Sequence, residues 1–155
     1  MLRNRGYQIL LWCFVVFAIV GLPACGKSKA ATPPKPVTFA EAQKLKDTLV
    51  SVEGYLGLGN QVSVNKNGSQ GHCTIQFYRD ETRQGTPINI HINLGNAPNQ
   101  MEMLPQNYTV KDLKIRGKDG KLVDYNQKVR VTGKTGLPLN IAWISVESIE
   151  QFPKG

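Results

Sequence analysis

From residue 88 the chain reads Ile-Asn-Ile-His-Ile-Asn-Leu, with Ile88, Ile90, Ile92 and Leu94 alternating with Asn89, His91 and Asn93. A strict period of two belongs to a strand with one face buried and the other wet, because successive side chains leave a strand on opposite sides. The same period recurs several times. Val50, Val52, Leu56 and Leu58 alternate with Ser51, Glu53 and Tyr55 over 48–58. Cys73, Ile75 and Phe77 alternate with Thr74, Gln76 and Tyr78. Val129 and Val131 alternate with Lys128, Arg130 and Thr132, and Ile144 and Val146 with Ser145 and Glu147 in a last strand over 141–149. Gly54, Gly57 and Gly59 break the first run where a strand can coil or bulge. Val62 and Val64 prolong it across that bend. With 155 residues, 41% of them apolar, there is material for one core but not two.

The joints between these runs carry their own signals. Thr38-Phe39-Ala40-Glu41 has the form of a capping box, which predicts a short helix to about Lys46 that buries Phe39, Ala42 and Leu45. Asn65 to Gly71 reads as a loop. Arg79 to Thr86 is a polar connection in which Arg79, Asp80, Glu81 and Arg83 form a solvated charge cluster. Gly95 to Leu104 is irregular, with Met101, Met103 and Leu104 covering one end of the core. Thr109 to Asp112 opens a single helical turn, and Asp119-Gly120 marks a two-residue hairpin.

Five main strands, the first broken by glycine, imply an all-β, mainly antiparallel, small closed sheet. Val52-Glu53-Gly54-Tyr55-Leu56, Lys128-Val129-Arg130-Val131-Thr132-Gly133-Lys134 and Trp143-Ile144-Ser145-Val146 resemble the strands of OB-fold domains of secreted bacterial lipoproteins. The resemblance covers about 48–150 and implies a five-stranded OB-fold-like barrel with a short N-terminal helix. Pro98 and Pro105 break the segment where that family has a helix, and an extra hairpin replaces part of it. A small β-sandwich is the other architecture the strand count allows.

The N-terminus says where such a barrel is delivered. Arg3 and Arg5 precede an apolar run of 12 residues, Ile9 to Val20, the layout of a secretory signal. That run is shorter than the roughly 20 residues a membrane span needs. Leu22-Pro23-Ala24-Cys25 resembles the lipobox of bacterial lipoproteins, which implies cleavage after residue 24 and a diacylglycerol on the Cys25 thiol. Gly26, in place of an acidic residue, implies by that family's sorting rule the periplasmic face of the outer membrane in a Gram-negative host. Residues 25–37 then form a Pro- and Lys-containing tether, roughly 3 Å per residue if extended, and 38–155 the domain. The net charge of +8 is largely a property of these ends. Residues 37–155 keep 14 Lys and Arg against 11 Asp and Glu, a net +3.

Chemistry-bearing residues are sparse. Cys73 is the one thiol left after Cys13 is cut away and Cys25 acylated, and its parity with Ile75 and Phe77 puts it in the core. His72 and Cys73 are neighbours on a strand and point to opposite faces, so with His91 they make neither a metal trio nor a catalytic pair. We therefore expect no cofactor, no metal and no enzymatic activity. The candidate binding face is the polar side of the second and third strands: Gln76, Tyr78, Asn89, His91 and Asn93, joined by Tyr55 from the first. OB-folds bind ligands on that outer face. These features imply a lipid-anchored envelope protein that binds a protein, peptide or glycan. Single-stranded nucleic-acid binding is a second reading, against which the charge of +3 and export both weigh. A small envelope hydrolase is a third.

Overall fold

The computed structural model describes residues 32–58, 63–67 and 70–152. The signal-like segment 1–24, Cys25, the tether residues 26–31, Gly59, Val62 and Gly68 lie outside the described residues. The elements are β1 (Lys35–Pro36), α1 (Phe39–Ala42), β2 (Leu49–Gly57), β3 (Ser63–Asn67), β4 (Gln70–Tyr78), β5 (Ile88–Leu94), β6 (Gln100–Met101), β7 (Lys128–Gly136) and β8 (Trp143–Gln151). A single 3-10 turn occupies Val110–Asp112, and Pro138–Asn140 is a tight turn in which Leu139 and Asn140 take positive φ.

β2 is the strand that closes the sheet. Its first part pairs antiparallel with β7, from Leu49↔Lys134 to Tyr55↔Lys128. Its last part pairs antiparallel with β4, from Tyr55↔Tyr78 to Gly57↔Gln76. β4 pairs with β5, β5 runs parallel to β8, and β8 returns antiparallel to β7. The circuit β2-β7-β8-β5-β4 is a closed mixed barrel of five strands. The architecture is all-β and OB-fold-like, and a two-sheet sandwich is set aside.

The inward row of each strand is the one its alternation predicts. Val50, Val52 and Leu56, then Cys73, Ile75 and Phe77, then Ile88, Ile90 and Ile92, then Val129 and Val131, and finally Ile144 and Val146 are all buried. Each such aliphatic or aromatic side chain contributes roughly 1.5–3 kcal/mol by leaving water. Closure demands one close approach. A Cβ on Gly54 would lie 2.8 Å from the Phe77 ring and would run into the Tyr78 carbonyl oxygen. Phe77 itself is covered by Phe39 of α1, ring centroids 5.7 Å apart.

The structure departs from the sequence expectations at several joints. The capping box is present, Thr38 N–H donating to Glu41 Oε2 at 2.7 Å, but α1 ends at Ala42 instead of Lys46. Residues 47 and 48 are drawn to the barrel instead. Asp47 N–H donates to the Thr135 carbonyl and Thr135 N–H to the Thr48 carbonyl, each at 2.9 Å. Leu45 still packs against the core from the turn. Asn65, Lys66, Asn67, Gln70 and Gly71 are strand and not loop, in a ladder that runs from Ser63↔Thr74 to Asn67↔Gln70. The same ladder carries Val64 on along β4, the prolongation expected of it. Met101 is buried, Leu104 partly so, but Met103 is 50% exposed. The 110–112 turn is capped by Thr109, whose N–H donates to Asp112 Oδ2 at 2.7 Å. The second hairpin has a three-residue loop: Gly117 N–H donates to the Lys121 carbonyl, and Gly120 takes a positive φ of 78°. A register shift at Thr132/Gly133 pairs Thr132 with Ser148 but Gly133 with Val146, which turns Ile149 inward along with Ile144 and Val146.

One correction concerns the tether. Lys35 and Pro36 are not spacer but the strand β1, parallel to β2 at Val50 and Ser51, and Val37 N–H donates to the Ser51 carbonyl at 3.1 Å.

Filling the approach at Gly54 tests the closure. Gly54→Val should lower stability by about 1–3 kcal/mol or more, the usual cost of overpacking, read as a fall in the urea midpoint. A midpoint within error of the parent would show that β2 and β4 do not meet there.

Candidate functional site

Alternation puts the polar residues of β4, β5 and β8 on the outer surface, and the register assembles them into rungs. His72 lies opposite Asn93, Thr74 opposite His91, and Gln76 opposite Asn89. β8 continues two of these rungs in parallel, Ser145 beside His91 and Trp143 beside Asn89. A last rung pairs Tyr78 with Tyr55 across the closure. All six residues singled out from the sequence thus share one face. Asn93 is exposed, while Tyr55, Gln76, Tyr78, Asn89 and His91 are half-buried.

The register adds residues that parity alone did not bring in. The His91 ring stacks on the Trp143 indole, centroids 5.0 Å apart and planes within 5°. His72 stacks on the other side of His91 at 5.5 Å and 29°. Three rings therefore stand in a row across β8, β5 and β4. Trp143 lies against Gly136 of β7, where a Cβ would strike the indole, so glycine at 136 is what lets the row begin. At the far end of the face Tyr78 donates its hydroxyl proton to the Gln76 side-chain oxygen. Outward parity of Trp143, next to inward Ile144, was legible in the sequence. Its adjacency to His91 was not, because that depends on the parallel β5–β8 register.

The electrostatics of the face are weak. Burial first, and then the neighbouring His72, hold the His91 imidazole below its ordinary 6.5. Burial also raises the Tyr78 phenol, opposed by Arg83. Arg83 is not the solvated residue expected: its Nε–H donates to the Leu56 carbonyl at 2.8 Å and its Nη2 to the Tyr125 carbonyl at 2.7 Å. Its guanidinium lies 4.1 Å from the Tyr125 ring centroid. The reading as an exposed pair holds for Arg79 and Asp80, 3.6 Å apart. Round the barrel, Glu53 engages Arg130 at 2.9 Å and Lys128 at 3.4 Å, and Glu150 pairs with Lys118. These cations are already matched by carboxylates.

Cys73 is fully buried opposite His72, and burial pushes its thiol up to about 12. Among the described residues no three His, Cys, Asp or Glu side chains group in a way that could hold a metal ion. Two clefts lie away from the face. One of about 460 Å³ runs between the second hairpin and the end of β8, lined by residues such as Lys121, Leu122 and Phe152. The other, about 700 Å³, lies between Pro34, Pro36 and Phe39 and the outer side of β2.

His91 gives a pH test. Its folded-state proton affinity is depressed, so the unfolded chain binds the proton more readily, and stability is lost as pH falls from about 6.5 through the folded value. NMR titration should place His91 below 6.5, and His91→Gln should flatten the stability profile in that window. An imidazole titrating at or above 6.5 would contradict the burial described. Cys73 should stay unreactive to thiol reagents at neutral pH until the chain is unfolded, which a chromogenic disulfide assay with and without denaturant reads directly. A scan against protein-family models and a search of curated proteins returned no match to this chain.

Proposed function

We propose that this chain is a lipid-anchored protein of a bacterial cell envelope that works by binding, not catalysis. The outer face of β4, β5 and β8 is the recognition surface, and its partner is a protein, an extended peptide or a glycan. The supporting observation is the continuous row of half-buried rings and amides that the rungs assemble, from Trp143, His91 and His72 to Asn89 and Gln76, with the exposed Asn93 at its edge.

Amides and hydroxyls recognise by hydrogen bonds and not by long-range charge, which suits a polar, uncharged polymer better than a phosphate backbone. Same-side residues along a strand recur at about 7 Å. An extended peptide laid along β5 therefore meets Asn89, His91 and Asn93 in step with every second residue of its own. The stacked rings of Trp143, His91 and His72 cross the amide row, which gives a ligand apolar ring surface beside hydrogen-bonding groups. The signal-like segment before Cys25 would direct export and then be cut away, and the acylated Cys25 would hold this surface outside the cytosol, at the periplasmic face of the outer membrane in a Gram-negative host.

Photo-crosslinking residues placed at the exposed Asn93 and Ser145 in intact cells should capture the same partner. The same probe at the exposed Lys111, off this face, should not. Cys25→Ser should move the protein from the membrane to the soluble fraction. Equal capture from all three positions would remove the case for this face. Salt-sensitive binding of oligonucleotides, or turnover of envelope substrates by the purified protein, would replace the reading altogether.

A further inference from the structure

Loop 137–142 reads Leu-Pro-Leu-Asn-Ile-Ala and carries no charge. Leu139 is 93% exposed and Ile141 54%. Leu139 and Asn140 both take positive φ, 50° and 62°, a left-handed conformation that costs a residue with a Cβ and is met here by Leu and Asn in succession. The backbone is thus turned so that a large aliphatic side chain stands free of the barrel. Among the described residues Met103, Val110 and Leu122 are also exposed large apolar side chains, at 50%, 39% and 54%, none approaching Leu139.

The position of this loop relative to the incoming chain says what could cover it. β1 runs parallel to β2 with Lys35 beside Val50, so residues 32–34, all exposed, precede it on the side where β2 begins. Loop 137–142 starts on that same side, because Asp47 and Thr48, just before β2, are hydrogen bonded to Thr135, just before the loop. Lys35, Lys46 and Lys134 are exposed there, with Asp47 pairing Lys134 at 3.7 Å. Lys35 lies ten positions after Cys25, a contour of at most about 36 Å.

We infer that loop 137–142 is a membrane-contacting tip, with Leu139 and Ile141 seated in the interface of the bilayer that holds the Cys25 lipid. This contact rests on the lipid-anchored reading proposed above. The short leash brings the start of β2 toward the bilayer, the two aliphatic side chains enter its headgroup boundary, and Lys35 and Lys46 face its anionic headgroups. The barrel is then held at two points, and the outer face of β4, β5 and β8 is fixed in orientation above the membrane.

The mature, lipidated full chain allows a direct test, because acylation blocks Cys25 and burial protects Cys73. Leu139→Cys therefore offers a single reactive thiol for an environment-sensitive fluorophore, and Leu122→Cys serves as the control. In protein-free vesicles of phosphatidylethanolamine and phosphatidylglycerol, after flotation, the label at 139 should brighten about threefold relative to 122 and be quenched by nitroxide lipids, as expected for shallow interfacial burial. A chain that fails to float overturns the anchored reading and this contact with it. A chain that floats with both labels equally open to aqueous iodide overturns the contact alone. Protection of 139 in native membranes but not in protein-free vesicles overturns it in favour of a protein partner.

Discussion

Everything in this barrel depends on β2 being hydrogen bonded along two different edges within nine residues. Up to Tyr55 it belongs to β7, and from Tyr55 onward it belongs to β4 as well. A strand can change partners this way only if it coils hard, and it can coil only if nothing projects inward at the crossing. Gly54 supplies that gap, and Phe77 fills it. Remove the crossing and the sheet is open: two edges of unpaired amides appear, and the inner row of isoleucines and valines loses its far wall. The barrel is thus a consequence of one missing side chain as much as of the many apolar ones present.

The strands themselves were legible from composition and period. Ile88–Leu94 and Val129–Val131 could be read because β-branched residues at every second position leave no other solution. What could not be read was whatever depends on pairing across long sequence separations. The shortening of α1 comes from Thr135, almost ninety positions away from Asp47. The inward turn of Ile149 comes from a register shift against β7. Asn65 and Lys66 carry loop-like side chains, yet their backbone is held in a ladder by β4, so local propensity was overridden by a partner strand.

The candidate face shows the same division. Parity alone put Gln76, Tyr78, Asn89, His91 and Asn93 on one side, and the structure keeps them there. The stacking of His72, His91 and Trp143 needed two registers at once, one antiparallel and one parallel. Parallel pairing of β5 with β8 is also what makes the face wider than a two-stranded ribbon. A face three strands wide can hold a ligand lengthwise or crosswise, and the rings run crosswise while the amides run lengthwise.

The short parallel pairing of β1 with β2 has a mechanical corollary. A pull on Thr32 directed away from β1 would run along the axis of β2, so the bonds at Val50 and Ser51 would be loaded sideways together and not unzipped in turn. Such a load would meet the sheet at Lys35 and Pro36 before it reached α1. A pull strong enough to peel Lys35 and Pro36 away would bare the backbone edge of β2 as it did so.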